Sequence, residues 1–187
     1  SEFDEEYKKK YVEVSQMFHV LSLTPINDND AMWALYADNY KGIAIGYKAI
    51  DELNGNYSIS LGVKREINNQ RKFLLEQGPE RFYENPDLRI KLRPVEYDIS
   101  KLIPFTPLCT DPYEMLENNY IKKPIWAFEK EYRSMIISPW HRYEHLKIYY
   151  PDDVLSEIIF GFNVDTDKIN EIINLVKENY SNYDEIK

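Results

Sequence analysis

The sequence predicts an α+β fold, a mixed or antiparallel sheet with packed helices, built as a single domain over residues 1–187. Three observations carry that expectation. Apolar runs of strand length recur along the chain, as FHVLSLT, IAIGY, LKIYY and EIIFGF. Helical periodicity with capping residues appears around Trp33 and again at the tail. The two kinds of segment do not alternate as strict βαβ units, which argues against a wound parallel sheet.

The central stretch is Ala31–Tyr47. Asn27, Asp28, Asn29 and Asp30 offer N-caps and suit the positive end of a helix dipole. Trp33, Tyr36, Ala37 and Tyr40 then recur at i, i+3, i+4 and i+7, one helical stripe. Lys41 suits the last turn, and Gly42 can take the left-handed position that ends the helix. Ile43–Tyr47 follows as an apolar run with the character of a strand covered on both faces. Two readings of the stripe are open: Trp33, Tyr36 and Tyr40 are core, or Tyr36 and Tyr40 line a cleft with their hydroxyls exposed.

In chain order, Phe3–Glu13 is charged and reads as an exposed helical lead-in. Val14–Thr24 contains a buried strand closed by Pro25, with His19 inside it as a core residue rather than a ligand. Lys48–Asn54 adds a helical turn before the Asn54-Gly55 turn signal, and Tyr57–Val63 alternates as a strand. Glu66–Gln77 is an amphipathic helix stopped by Gly78-Pro79, and Pro79–Asp87 is a second short helix or loop. Arg89–Ile99 re-enters a sheet through Ile90, Leu92, Val95 and Tyr97. Pro104, Pro107 and Pro112 make the surroundings of Cys109 irregular, and no basic residue nearby in sequence activates that thiol. Asp111–Tyr120 is helical with Pro112 in its first turn. At the tail, Ile169, Ile172, Ile173, Val176 and Tyr180 share one helical face, with Asp165 as cap.

Composition excludes several function classes. The net charge of −9, from 32 acidic and 23 basic residues, speaks against a broad nucleic-acid or anionic-membrane surface. No apolar run reaches membrane-spanning length and no signal peptide is visible, so a cytoplasmic location is expected. Cys109 is the single cysteine, which rules out an intrachain disulfide. The 16 tyrosines, with the Asn, Ile and Lys content, read as a coding bias rather than as a ligand signal.

Candidate chemistry concentrates in PIWAFEKEYRSMIIS, Pro124–Ser138. If Phe128–Ile137 is a strand, Glu129, Glu131 and Arg133 share one face, with the two carboxylates roughly 7 Å apart. That separation lets both acids face one substrate, while the guanidinium keeps them ionised or binds a phosphate. The alternative is a salt-bridge row on a solvated face. His141-x-x-Glu144-His145 matches a zinc-peptidase pattern, but Pro139 and the strand-like LKIYY around it favour a turn. No metal is expected.

These stretches resemble the bacterial domain-of-unknown-function family 2971. The likeness rests on Trp33-x-x-Tyr36-Ala37 with Gly42, and on Lys122, Trp126, Glu129, Glu131, Tyr132 and Arg133. It extends to Glu157-Ile158-Ile159-Phe160-Gly161. It covers about Val14 to Val176, with an insertion-like segment at 51–88. Two features depart from the family pattern: Tyr40 stands where His is common, and a Phe-Asn-Asp-Pro-Phe-like opening segment is absent, so an N-terminal portion of the site is expected to be missing.

A Glu-x-Glu after an aromatic helix–strand unit is also similar to the arrangement in ADP-ribosyltransferases. That analogy implies an NAD- or nucleotide-directed transferase or glycohydrolase, toxin- or defence-like, with NAD as a substrate. Glu131 would hold the ribose and Glu129 the acceptor, Tyr36 or Tyr40 would stack on nicotinamide, and Arg133 and Lys122 would contact substrate. The competing expectation is a non-catalytic binding or regulatory module with a structural Glu-x-Glu-x-Arg row. Its partner would be a nucleotide or a protein.

Overall fold

The computed structural model describes residues 18–60, 89–103, 116–137 and 150–187, together with the helical positions Glu5, Lys9, Val12 and Ser15. The helix expected at Glu66–Gln77, the Pro79–Asp87 segment, Cys109, and the His141, Glu144 and His145 pattern lie outside the described residues. The chain divides into two compact units. One comprises Ser1–Pro25 and Leu92–Ile148, the other Ile26–Lys91 and Tyr149–Lys187.

The fold is α+β with antiparallel pairing. The strands are β1 (Phe18–Leu23), β2 (Ile43–Tyr47), β3 (Ile50–Asp51), β4 (Tyr57–Ser60), β5 (Arg89–Pro94), β6 (Tyr132–Ile137) and β7 (Leu155–Phe160). The helices α1 (Asp30–Tyr36) and α2 (Thr166–Asn179) stand beside several short 3₁₀ segments. One sheet has the strand order β1-β6-β5-β4-β3, and β2 and β7 form a second.

In the first unit, β1 runs antiparallel to β6 from Phe18 opposite Ile137 to Leu23 opposite Tyr132. The end of β5 joins the other side of β6, with Arg93 facing Arg133. Two arginines directly opposite would repel, so each is held by a carboxylate. Arg93 makes a bidentate pair with Glu117, both bonds 2.9 Å, and its guanidinium lies 4.1 Å above the Tyr120 ring. Arg133 pairs with Glu131. Leu92, Val95 and Tyr120 are buried here, and so are Glu129, Glu131 and Ser134.

In the second unit, Asn29 caps α1 by accepting from the Met32 amide at 3.2 Å, and Trp33 is its buried residue. The helix ends at Tyr36, a turn earlier than the periodicity predicts. The backbone then passes through three consecutive left-handed residues, Asp38, Asn39 and Tyr40, at φ 45, 52 and 66°. Asn and Asp tolerate that region, but Tyr does not, and each such residue costs on the order of 1–2 kcal/mol.

The cost is offset by docking against the turn that follows β7. Asn163 donates from its amide to the Tyr40 carbonyl at 3.0 Å and from its side chain to the Asn39 carbonyl at 2.9 Å. Gly161 makes this approach possible, because a Cβ there would lie 2.6 Å from the Tyr40 carbonyl carbon and closer still to its oxygen. Tyr36, left at the end of a shortened helix, is 63 % exposed, so the stripe is core only at Trp33.

β2 and β7 pair antiparallel with a bulge at Gly46/Tyr47, and Ile45 is exposed, so this strand is not covered on both faces as its composition suggests. Asn54 and Gly55 adopt positive φ between β3 and β4, as their turn signal predicts. In α2, Asp165 caps by accepting from the Asp167 amide at 2.8 Å. Ile169, Ile172, Val176 and Tyr180 are half-buried on one face of that segment. No helix among the described residues is long and apolar enough to cross a membrane.

Candidate functional site

The expected continuous strand from Phe128 does not form. Pro124 opens a 3₁₀ turn that runs to Glu129, Lys130 takes the left-handed conformation at φ 46 and ψ 45°, and β6 begins only at Tyr132. Glu129 and Glu131 therefore flank a backbone kink instead of sharing a strand face. The kink aims both carboxylates at one ammonium, that of Lys122, with Glu131 at 3.1 Å and Glu129 in close contact.

Backbone bonds position the pieces. Lys122 donates its amide to the Glu96 carbonyl, and the Glu96 amide donates to the Tyr120 carbonyl, each at 2.8 Å, beside a parallel bridge between Glu96 and Ile121. The Val95 amide reaches the Glu131 carbonyl at 2.8 Å. The Thr24 hydroxyl donates to the Glu129 carbonyl at 2.7 Å, and the Glu131 amide donates to the Tyr97 hydroxyl oxygen at 2.8 Å. These contacts hold both ends of the kink to the segments that follow β1 and β5.

Arg133, two residues along on β6, closes the cluster. Its Nε and Nη2 meet the two Glu131 oxygens at 2.6 and 3.0 Å, and its Nη1 donates to the Asn119 carbonyl. Glu129 is 3 % and Glu131 7 % exposed, whereas the Lys122 side chain keeps 22 % of its surface. Two cations and two carboxylates thus form an electrically neutral network inside the unit, not a row on a solvated face. Burial pushes the Glu131 carboxyl up, but hydrogen bonds from Arg133, Ser22 and Lys122 outweigh it and hold its pKa below the usual carboxylate range. Lys122 is the mirror case: burial lowers it, Glu129 and Glu131 raise it more, and it stays charged. The Tyr97 hydroxyl is raised, first by burial and then by the nearby carboxylates.

Trp126 lies at the rim. Its ring is 5.2 Å from the Lys122 ammonium and 5.9 Å from the Phe128 ring, and it is half-buried where its apolar segment suggests deep burial. Sequence patterning does not single out Thr24, Tyr97 and Ser22, which reach the cluster from distant points of the chain, or Asn119, which contributes only its backbone carbonyl.

Lys122, Glu129, Glu131 and Arg133 come together in the first unit. Tyr36 and Tyr40 belong to the second. There Tyr40 stacks on Trp33 with centroids 5.5 Å apart and planes within 7°, and its hydroxyl donates to Asp30, which raises the hydroxyl pKa. A family model described as Protein of unknown function (DUF2971) matches residues 32–134, more than half of the chain. The chain belongs to that family. The DUF2971 match takes in every residue of the cluster except Ser22 and Thr24, and both aromatic positions. The Glu157–Gly161 stretch, part of the wider resemblance, lies beyond it. No curated protein and no solved structure matches the chain.

Proposed function

We propose that this DUF2971 chain is a non-catalytic binding or regulatory module, and that the Lys122–Glu129–Glu131–Arg133 cluster is part of its interior architecture. One observation carries the reading: both oxygens of the buried Glu131 are already taken by Arg133 and Lys122. A carboxylate that stabilises a developing cation must be aimed at substrate before the reaction. Here the same charge is spent on two fixed cations, and removing either would leave an uncompensated buried charge.

The competing reading, an NAD- or nucleotide-directed transferase or glycohydrolase, draws on the Glu-x-Glu motif and on the partly exposed Lys122 that joins its two acids. Calorimetric titration with NAD, beside a nicotinamide-release assay, separates the two. The module reading expects neither binding nor turnover from the wild type, and a Glu131→Gln variant that melts early. NAD turnover that is lost by about a hundredfold in a Glu131→Gln variant with an unchanged melt would establish the enzyme instead.

A further inference from the structure

In the second unit, Trp33, Tyr40 and Phe162 form a ladder of rings that runs from interior to solvent. Trp33 is 9 % exposed, Tyr40 stacks on it, and the Phe162 ring centroid lies 4.1 Å from that of Tyr40 at an interplanar angle of 34°. Phe162 is 76 % exposed, a large apolar ring offered to water at the end of the stack. The left-handed run Asp38–Tyr40 and its bonds from Asn163 fix the ring beneath it, so the position is pre-formed. Backbone strain of this kind is concentrated where a side chain must be presented in one place.

The charge around the ladder selects its occupant. Asp28, Asp30 and Asp38 lie along the segment that carries Tyr40, and Asp165 and Asp167 follow Phe162. Asp165 and Asp167 also cover the positive end of α2. The lysines of these segments are engaged, Lys41 with Asp38 at 3.4 Å and Lys168 with Glu171 at 2.8 Å. A nucleotide would bring phosphate into this acidic setting and be repelled. A planar cation gains from the face of the ring, and the negative field of these acidic segments favours its approach. The chain uses the same chemistry internally, where Arg93 lies over Tyr120 and pairs with Glu117.

We propose that Phe162 is the docking point for an arginine side chain of a basic segment on a protein partner, stacked as the next rung of the Trp33–Tyr40–Phe162 ladder. The proposal stands on the second unit alone, so it holds whichever way the ion cluster of the first unit is decided.

The test is a titration of the isotope-labelled protein with a hexa-arginine peptide, followed by amide chemical shifts. Hexa-lysine and AMP serve as comparisons. Phe162→Leu is the informative variant, because leucine keeps Tyr40 covered and removes only the π face. We expect shifts centred on Gly161–Asn163, binding of hexa-arginine about fivefold tighter than hexa-lysine, and loss of that preference in Phe162→Leu. Asp38→Asn should weaken both peptides. Equal binding of the two peptides, unaffected by Phe162→Leu, would reduce the effect to diffuse charge and overturn the proposal. AMP that shifts the same amides where hexa-arginine does not would overturn it in favour of a nucleobase.

Discussion

Replacing Glu131 by Gln keeps the shape of the side chain and removes its charge. In the native cluster this carboxylate takes bonds of 2.6 and 3.0 Å from Arg133 and of 3.1 Å from Lys122. Without the charge, Lys122 and Arg133 face Glu129 alone, and a neutral network becomes net positive. Breaking a buried ion pair from one side costs about 3–5 kcal/mol. Lys122 and Arg133 retain 22 and 18 % of their side-chain surface and recover some hydration, which places the loss at the lower end, about 3 kcal/mol. For a chain of this size that is a fall in Tm of about 6–12 °C.

Pairing the change with Arg133→Gln restores neutrality. The double variant should therefore lose less than the sum of the singles, by about 2 kcal/mol of coupling. Urea denaturation of the four proteins followed by circular dichroism measures this, and the coupling should persist in high salt because the pair is buried. A coupling energy near zero, or a Glu131→Gln melt within 2 °C of the wild type (well under the roughly 6 °C expected), would refute the view that the network is structural.

Other outcomes follow from the same geometry. Glu131 has a depressed folded pKa, so its stabilisation is present above the unfolded carboxylate value of about 4.3 and is lost as pH falls through the folded value; denaturant titrations between neutral pH and pH 3 should show wild-type stability dropping there, with a shallower slope in Glu131→Gln. Gly161→Ala forces a methyl into the Tyr40 carbonyl and should cost about 3 kcal/mol, read as a lower urea midpoint. Trp33→Ala should cost about 3–5 kcal/mol, and the half-buried Trp126 roughly half as much in the same assay. Asp165→Ala should remove about 1 kcal/mol by uncapping α2, visible as faster amide exchange in its first turn.

Much of the fold is legible in the sequence because its signals are local. The Asn29 and Asp165 caps, the Asn54-Gly55 turn, β1 before Pro25 and the face of α2 each depend on residues within a turn of one another. The end of α1 is not legible. The stripe through Tyr40 continues at helical spacing, yet Asn163 and Gly161, more than a hundred positions away, draw Asp38–Tyr40 into left-handed conformation. The site shows the same division. Its charged members announce themselves by spacing, but their burial does not, since that depends on Thr24 and Tyr97 holding the kink from other segments of the chain. Nothing in the propensity of Lys130 announces a left-handed residue.

The left-handed turn at Lys130 makes the middle position of Glu129-Lys130-Glu131 a conformational filter. It is open to glycine, asparagine, aspartate or a flexible straight chain and closed to valine, isoleucine and threonine. With a β-branched residue there, the two acids would stay on a continuous strand, spread along its length, and could not clasp a single ammonium. A Glu-x-Glu pattern that leaves the position unrestricted therefore merges two different objects, a strand that displays its acids and a kink that hides them. The identity of that one residue tells them apart.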